Sequence, residues 1–294
     1  MARIVIDEAF LQQIESLQTL LKNNVGGSPG GNRKSRSYGS SAEFADHREY
    51  VDGDDTTKIN WRIFARSEKL YLKQFLDERQ MHTRIYLDVS RSMEHGKGKK
   101  AEQALRVAAA LAYLSVAEMD KVSVYIIRGN RTEAVISGIV GKEAFFQNVH
   151  RFNEIAFGGD CRISEAILPE KVGYGDGMSV IISDFLTDED FAEAIEHLAA
   201  KKRHVLCLQV LSAEELNPQI RGKVHFFDSE NMEDTYRKNI DREIAKAYKE
   251  ALAAVTGRVR DLATATGGDY QLIPAEASIG EVLFGRLVDT GVLK

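Results

Sequence analysis

Apolar and polar positions along this chain follow two different periods. Arg84 to Asp88, Met178 to Ser183 and His204 to Leu211 are short apolar, β-branched runs that predict buried strands. Between the first two, Lys99 to Met119 places Ala101, Ala104, Leu105, Ala108, Leu111, Ala112 and Ser115 at helical spacing, with side chains small enough to pack closely on a sheet. Lys121 to Ile127 predicts a strand, Thr132 to Ser137 a short edge strand, and Gly141 to Asn153 a helix. Asp188 to Lys201 predicts a helix with Thr187 as its N-cap, and Lys223 to Phe227 a further strand. Glu233 to Thr266 carries Tyr236, Ile240, Ile244, Ala251, Val255, Val259 and Leu262 on one helical stripe, which predicts a long amphipathic helix with a bend at Gly257. Asp269 to Ile273 and Ile279 to Val288 predict a last strand and a last helix. Strands alternating with helices predict an α/β fold, a doubly wound and mainly parallel sheet covered on both faces.

The first part of the chain is patterned differently. Met1 to Asn24 predicts an amphipathic helix; Asp7, Glu8 and Glu15 interrupt its apolar residues, unlike a signal peptide. Gly26 to Gly31 predicts a flexible link and lacks the Gly-Lys-Ser/Thr ending of a phosphate-binding loop. Arg33, Lys34 and Arg36 follow, as a solvated loop or as a contact for an anion or an acidic partner. From Ser41 to Phe75 short strand-like pieces alternate with turns: Asp52 to Asp55 is a turn signal, and Lys69 to Phe75 alternates as a half-buried strand does. Trp61, the single tryptophan, is expected in a core. The expected organisation is a helix and basic linker over 1–38, a small β-rich lobe over 39–80, and the α/β domain over 81–294.

Composition narrows the classes. A chain of 294 residues, 44% hydrophobic and 28% charged, has room for a core and an appendage. The net charge of -5 argues against a protein that coats nucleic acid, a reading that would rest on Arg33, Lys34, Arg36 and Lys97 to Lys100. Cys161 and Cys207 stand far apart in no metal-ligand spacing, which suits a reducing compartment and argues against a disulfide scaffold or structural zinc. No apolar run reaches the roughly 18 residues of a membrane helix. A soluble, cytoplasmic protein without a membrane span is the expectation.

Candidate chemistry gathers where two strands end in aspartate. Asp88 is followed at alternate positions by Ser90 and Ser92, a compact set of hard oxygens suited to Mg2+ or Mn2+. The bland account has Asp88 capping the next turn and the serines bonding to nearby backbone. Asp184 ends the second strand, and in open α/β sheets ligands bind at the carboxyl ends of strands. If the two strands are neighbours, both carboxylates reach one rim; Asp184 as a cap or turn residue is the alternative. Phe157 to Ile167 opens with Gly158 and Gly159, whose freedom permits close backbone approach. There Asp160 offers another oxygen or caps the following helix. The seven histidines are scattered, and His95, just after the first loop, is the one nearest a candidate site.

Asp88-Val-Ser-Arg-Ser92, the Gly158-Gly159 loop and Ile182-Ser-Asp184 resemble the metal-ion-dependent adhesion site of von Willebrand factor A domains. Glu43-Phe44, Arg48-Glu49-Tyr50, Gly53-Asp54-Asp55, Ile59-Asn60-Trp61, Ala65-Arg66 and Lys69-Leu70-Tyr71 resemble, in order and spacing, the bacterial family called domain of unknown function 58. The resemblance implies a doubly wound A-domain with a small β-rich lobe, and an association with AAA+ ATPases of the MoxR type in chaperone-like maturation of client proteins. Carried across by position, it makes Asp88, Ser90 and Ser92 the first-loop ligands and Asp184 the last-loop carboxylate. Two positions depart from the pattern: Cys161 stands where a threonine ligand is usual, and Asn60 where the family often has Asp.

The expected function is a non-catalytic module in which a bound metal captures a carboxylate on a partner protein. The competing expectation is a magnesium-dependent phosphohydrolase using Asp88. Such enzymes generally need a second acid two residues on, where this chain has Ser90.

Overall fold

The structure is a computed structural model and describes residues 5–25, 44–75, 80–94, 99–175, 177–187, 191–218, 222–227, 235–240 and 242–288. The Gly26 to Gly31 link, the basic residues Arg33, Lys34 and Arg36, and His95 fall outside them. In chain order the elements are α1 (Glu8–Val25), β1 (Phe44–Glu49), α2 (Trp61–Ser67), β2 (Tyr71–Phe75), β3 (His82–Asp88), α3 (Arg91–Glu94), α4 (Lys99–Ala117), β4 (Lys121–Arg128) and β5 (Arg131–Ile139). There follow α5 (Lys142–Asn148), α6 (Ile163–Ile167), β6 (Met178–Ser183), α7 (Ala192–Ala200), β7 (His204–Leu211) and α8 (Ala213–Leu216). The chain continues through β8 (Gly222–Phe227), β9 (Thr235–Ile240), α9 (Arg242–Ala265), β10 (Asp269–Pro274) and α10 (Ile279–Val282). It divides into two compact units, residues 1–24 with 81–293, and residues 25–80.

In the larger unit six strands form one sheet in the order β10-β7-β6-β3-β4-β5. All neighbours run parallel except the β4–β5 pair at one edge, which is antiparallel. Both faces are covered. On one, Ile85, Leu87, Val124 and Val180 pack with the alanine row of α4 and with Ile14 of α1. On the other, Tyr86, Ile127 and Ile181 pack with Ile163 of α6, Ile195 of α7 and Val259 of α9. Burial on both faces explains why β6 reads as a continuous apolar run and not as an alternation. Among the described residues, no helix is long and apolar enough to cross a membrane.

The structure corrects several expectations. The stretch from Glu233 is not helical throughout: β9 pairs antiparallel with β8, and only α9 is helix, running unbroken through Gly257. Tyr236 and Ile240 satisfy helical spacing, yet both lie in the strand. The helix expected from Asp188 begins at Ala192 after Phe191, so Thr187 does not cap it. The first helix packs into the larger unit's core through Phe10 and Ile14.

The smaller unit holds the antiparallel pair β1–β2 and also the helix α2, where strand pieces were expected. Asn60 caps α2 by accepting from the Arg62 N–H at 3.1 Å, the role its side-chain amide suits. The turn at Asp52 to Asp55 forms, with Gly53 at φ 102° and Asp54 accepting from the Val51 N–H and from Arg48. Trp61 is not core: it is 61% exposed and meets the Phe64 ring edge-on at 6.0 Å.

Candidate functional site

The chain leaves β3 for β4 and β5 on one side and returns to β6 on the other, so the strand order switches between β3 and β6. That crevice is where open α/β sheets bind ligands. β3 and β6 are hydrogen-bonded neighbours with Leu87 opposite Ile182, so Asp88 and Asp184 end adjacent strands at one rim, as the strand-end reading requires. Both are deeply buried, at 3% and 2% exposure.

Asp88 is held from two sides. One carboxylate oxygen accepts the Ser90 N–H at 2.8 Å, and the other accepts the Ser183 hydroxyl at 2.6 Å. Ser90 and Ser92 turn their hydroxyls together, 3.0 Å apart. The loop after β3 therefore makes the local backbone bond that the cap account expects, with the two serine hydroxyls paired beside it. Burial, and then the nearby Asp184 charge, push the Asp88 carboxyl above the usual carboxylate range, while the bonds from Ser183 and Ser90 work against that.

Asp184 is occupied differently. One of its oxygens accepts the Leu186 N–H at 3.0 Å, and the other accepts the Lys100 ammonium at 2.8 Å. Lys100, 1% exposed on the buried side of α4, also donates to Glu215 at 2.5 Å. Burial alone would lower the Lys100 pKa, but Asp184 and Glu215 outweigh it and hold it above its ordinary value. Glu215 is itself fixed by a capping box, its second oxygen accepting the Ser212 N–H at 2.8 Å and the Ser212 hydroxyl at 2.9 Å. Gln209 completes the network by donating to the Asp184 carbonyl at 2.8 Å and accepting from the Tyr270 hydroxyl at 2.7 Å.

The glycine loop reaches the rim by its backbone. Gly158 donates to the Val89 carbonyl at 2.7 Å, and Gly159 accepts from the Arg91 N–H at 2.9 Å, with the two glycines at φ 142° and 84°. Those angles are ones that side-chain-bearing residues avoid. Asp160 turns elsewhere: half exposed, it faces Arg162 at 3.4 Å, and it does not cap α6. Cys161 is buried in the apolar cluster with Ile127 and Ile163, as a soft thiol with no hard-cation role would be.

Among the described residues no group of three or more His, Cys, Asp or Glu stands placed to hold a metal. A hard cation at this rim would depend on hydroxyls. Asp88, Ser90 and Ser92 supply suitable oxygens on one side; on the other, an ammonium already neutralises Asp184. From the sequence alone Ser183 and Glu215 carry no site role, and Lys100 stands only in a basic run, Lys97 to Lys100. The available signal was the position of Lys100 one turn before Ala104 and two before Ala108 on the apolar stripe, which puts it on the sheet-facing side.

Uncharacterized protein Rv1480 of Mycobacterium tuberculosis is 24% identical over 233 residues, covering 76% of this chain and 72% of that protein. Uncharacterized protein Mb1516 of Mycobacterium bovis gives the same values, 24% over 233 residues. Among solved structures, the conserved hypothetical protein BatB from Bacteroides thetaiotaomicron aligns at 17% identity and TM-score 0.44, covering 72% of this chain and 99% of that one. The SpRpn10 VWA domain aligns at 9% identity and TM-score 0.40, covering 71% and 95%. The family described as Protein of unknown function DUF58 matches residues 46–257. With that match spanning most of the chain, the chain belongs to the DUF58 family, and its fold is a doubly wound, mainly parallel α/β sheet.

Proposed function

We propose that this chain is a non-catalytic, metal-dependent protein-interaction module of the cytoplasm, working with a MoxR-type AAA+ ATPase in chaperone-like maturation of client proteins. The observation that carries the reading is the convergence of Asp88, Ser90, Ser92 and Asp184 at the switch between β3 and β6. Asp88, Ser90 and Ser92 would hold Mg2+ or Mn2+, which when bound supplies a positive charge and a coordination position for a partner's carboxylate. Asp184 with Lys100 forms the charge-balanced back wall of the site, and the backbone of Gly158 and Gly159 braces the loop that presents the serines.

A phosphohydrolase would use the same metal with Asp88 as nucleophile. The arrangement favours it less, because both Asp88 oxygens accept hydrogen bonds and the position two residues on offers only the Ser90 hydroxyl, paired with Ser92. The test is calorimetric titration of Mn2+ on the wild type and Asp88→Ala, with a Mg2+-supplemented phosphatase assay and affinity capture of an AAA+ ATPase alongside. Saturable metal binding lost in the folded variant, no phosphatase turnover, and metal-dependent capture are expected. Equal metal binding in the two proteins, or turnover lost with Asp88, would reject the reading.

A further inference from the structure

Asp184 already has a cation, and the chain itself supplies it. Lys100 leaves the first turn of α4 and carries its ammonium, buried, to within 2.8 Å of the Asp184 carboxylate. The same ammonium lies 2.5 Å from Glu215, so one positive charge is shared by two carboxylates from different segments. Both acceptors are also gripped by other groups. The second Asp184 oxygen accepts the Leu186 N–H at 3.0 Å, and the Asp184 carbonyl accepts the Gln209 amide at 2.8 Å. The second Glu215 oxygen accepts the Ser212 N–H and hydroxyl. The lysine is the flexible partner of the three, a compact charge on a long stem.

The anionic charge at the rim is thereby divided unequally. Asp88 accepts from neutral donors, the Ser90 N–H and the Ser183 hydroxyl, beside the paired hydroxyls of Ser90 and Ser92. Asp184 accepts from a full positive charge. Two buried aspartates that end adjacent strands therefore differ in what they can offer a divalent ion. Asp88 has only neutral hydrogen bonds to exchange, whereas Asp184 must either release an ammonium or keep it beside the incoming charge. A buried charge is screened far less than one on the surface, so the repulsion from this ammonium acts on any cation at the rim.

We infer that Lys100 sets how tightly this rim holds a divalent cation: its ammonium withholds Asp184, leaving the ion to Asp88, Ser90 and Ser92 and in need of a partner's carboxylate to balance its charge. Resting on the metal-dependent reading proposed above, this makes Lys100 a positioning residue that acts through Asp184. Glu215 is the other half of the device. It gives the ammonium a second anion, so that the lysine is not left unpaired in the interior when Asp184 is drawn away.

The experiment titrates Mn2+ into the full chain, Lys100→Gln and Glu215→Gln, by calorimetry and by loss of the paramagnetic resonance signal of free Mn2+. The thermal midpoint of each protein is recorded with and without the metal. Lys100→Gln removes the charge and keeps an amide donor toward Asp184. It should bind Mn2+ at least about tenfold tighter than the wild type, although it is the less stable protein, and Mn2+ should raise its thermal midpoint more. A merely structural lysine gives the opposite, a loosened rim with weaker or unchanged affinity. Glu215→Gln leaves the ammonium to Asp184 alone and should weaken Mn2+ binding several-fold; it decides the matter if Lys100→Gln fails to fold. Equal or weaker affinity in Lys100→Gln, or in its place unchanged or tighter binding in Glu215→Gln, overturns the role of Lys100 and leaves the metal reading standing. Binding by Lys100→Gln with none by the wild type supports the role and rejects a metal-dependent wild type. Absence of Mn2+ binding in all three proteins rejects both.

Discussion

An ammonium 2.8 Å from Asp184 and 2.5 Å from Glu215 decides how much charge the rim keeps for a ligand. Without it two carboxylates would end adjacent buried strands with nothing between them but hydroxyls, which low dielectric does not tolerate. Lys100→Met should therefore cost about 3–5 kcal/mol, because it leaves Asp184 buried and uncompensated. Adding Asp184→Asn and Glu215→Gln should recover most of the loss, as urea unfolding of the three proteins would register. As one of a basic run, Lys97 to Lys100, this residue looked like surface charge. Residue type alone does not say which face of a helix a long side chain takes, and at 1% exposure Lys100 lies inside. His82 makes a second test. Its ring bonds to Ser123 at 2.9 Å and is held neutral, its pKa lowered from 6.5 to about 4. A depressed folded pKa means that the unfolded chain takes up the proton first, so stability is present above about pH 6.5 and is lost as pH falls toward about 4. His82→Gln should flatten that slope by about 1 kcal/mol, a value discounted for the ring's partial exposure, in urea midpoints measured across the window.

The helix α4 places Ala104, Ala108, Ala109, Ala110 and Ala112 wholly out of solvent, and this is what lets it lie close on β3 and β4. Ala108→Leu should overpack that interface and cost about 1–3 kcal/mol, seen as a fall in the thermal midpoint with little change in helical signal. The same small-residue period made α4 legible in advance, as the continuous apolar runs did for β3, β6 and β7. Where periodicity failed, two patterns fitted one segment. Tyr236 and Ile240 are four apart and suit a helix, yet β9 uses them in a ladder with β8, a pairing set by a distant segment that local spacing cannot register. Likewise Trp61 to Ser67 carries no long apolar period, and the short α2 rests on its Asn60 cap. The rim was legible because strand ends are: an apolar run stopping at Asp88 and another at Asp184 locate the carboxylates. Only the strand order made them neighbours, and only side-chain packing brought Lys100 and Glu215 beside them.

Two units differ in how they are held together, and that difference can be measured. In the larger one, α1 closes a face of the core from far upstream in the chain: Val5, Ile6, Phe10 and Ile14 join the cluster that contains Ile85 and Leu87 of β3. Its start is pinned by Asn153, whose side-chain oxygen accepts the N–H groups of Val5 and Ile6, both at 2.9 Å, while its amide donates to the Ile6 carbonyl at 2.9 Å. A long excursion between a helix and the sheet it covers costs little extra, since loop-closure entropy grows only as about 0.6 kcal/mol per doubling of length. The chain can therefore carry residues 25–80 as a separate unit without giving up the first helix as part of the α/β fold. It follows that Ile14→Ala, at a site with no solvent exposure, should cost about 2–5 kcal/mol, as large as a loss in the central strands. Trp61→Ala, at a residue 61% exposed in the smaller unit, should cost about 0.5 kcal/mol or less. Urea unfolding followed by far-UV dichroism would compare them, and an Ile14→Ala protein as stable as the wild type would mean that α1 is not part of the cooperative core.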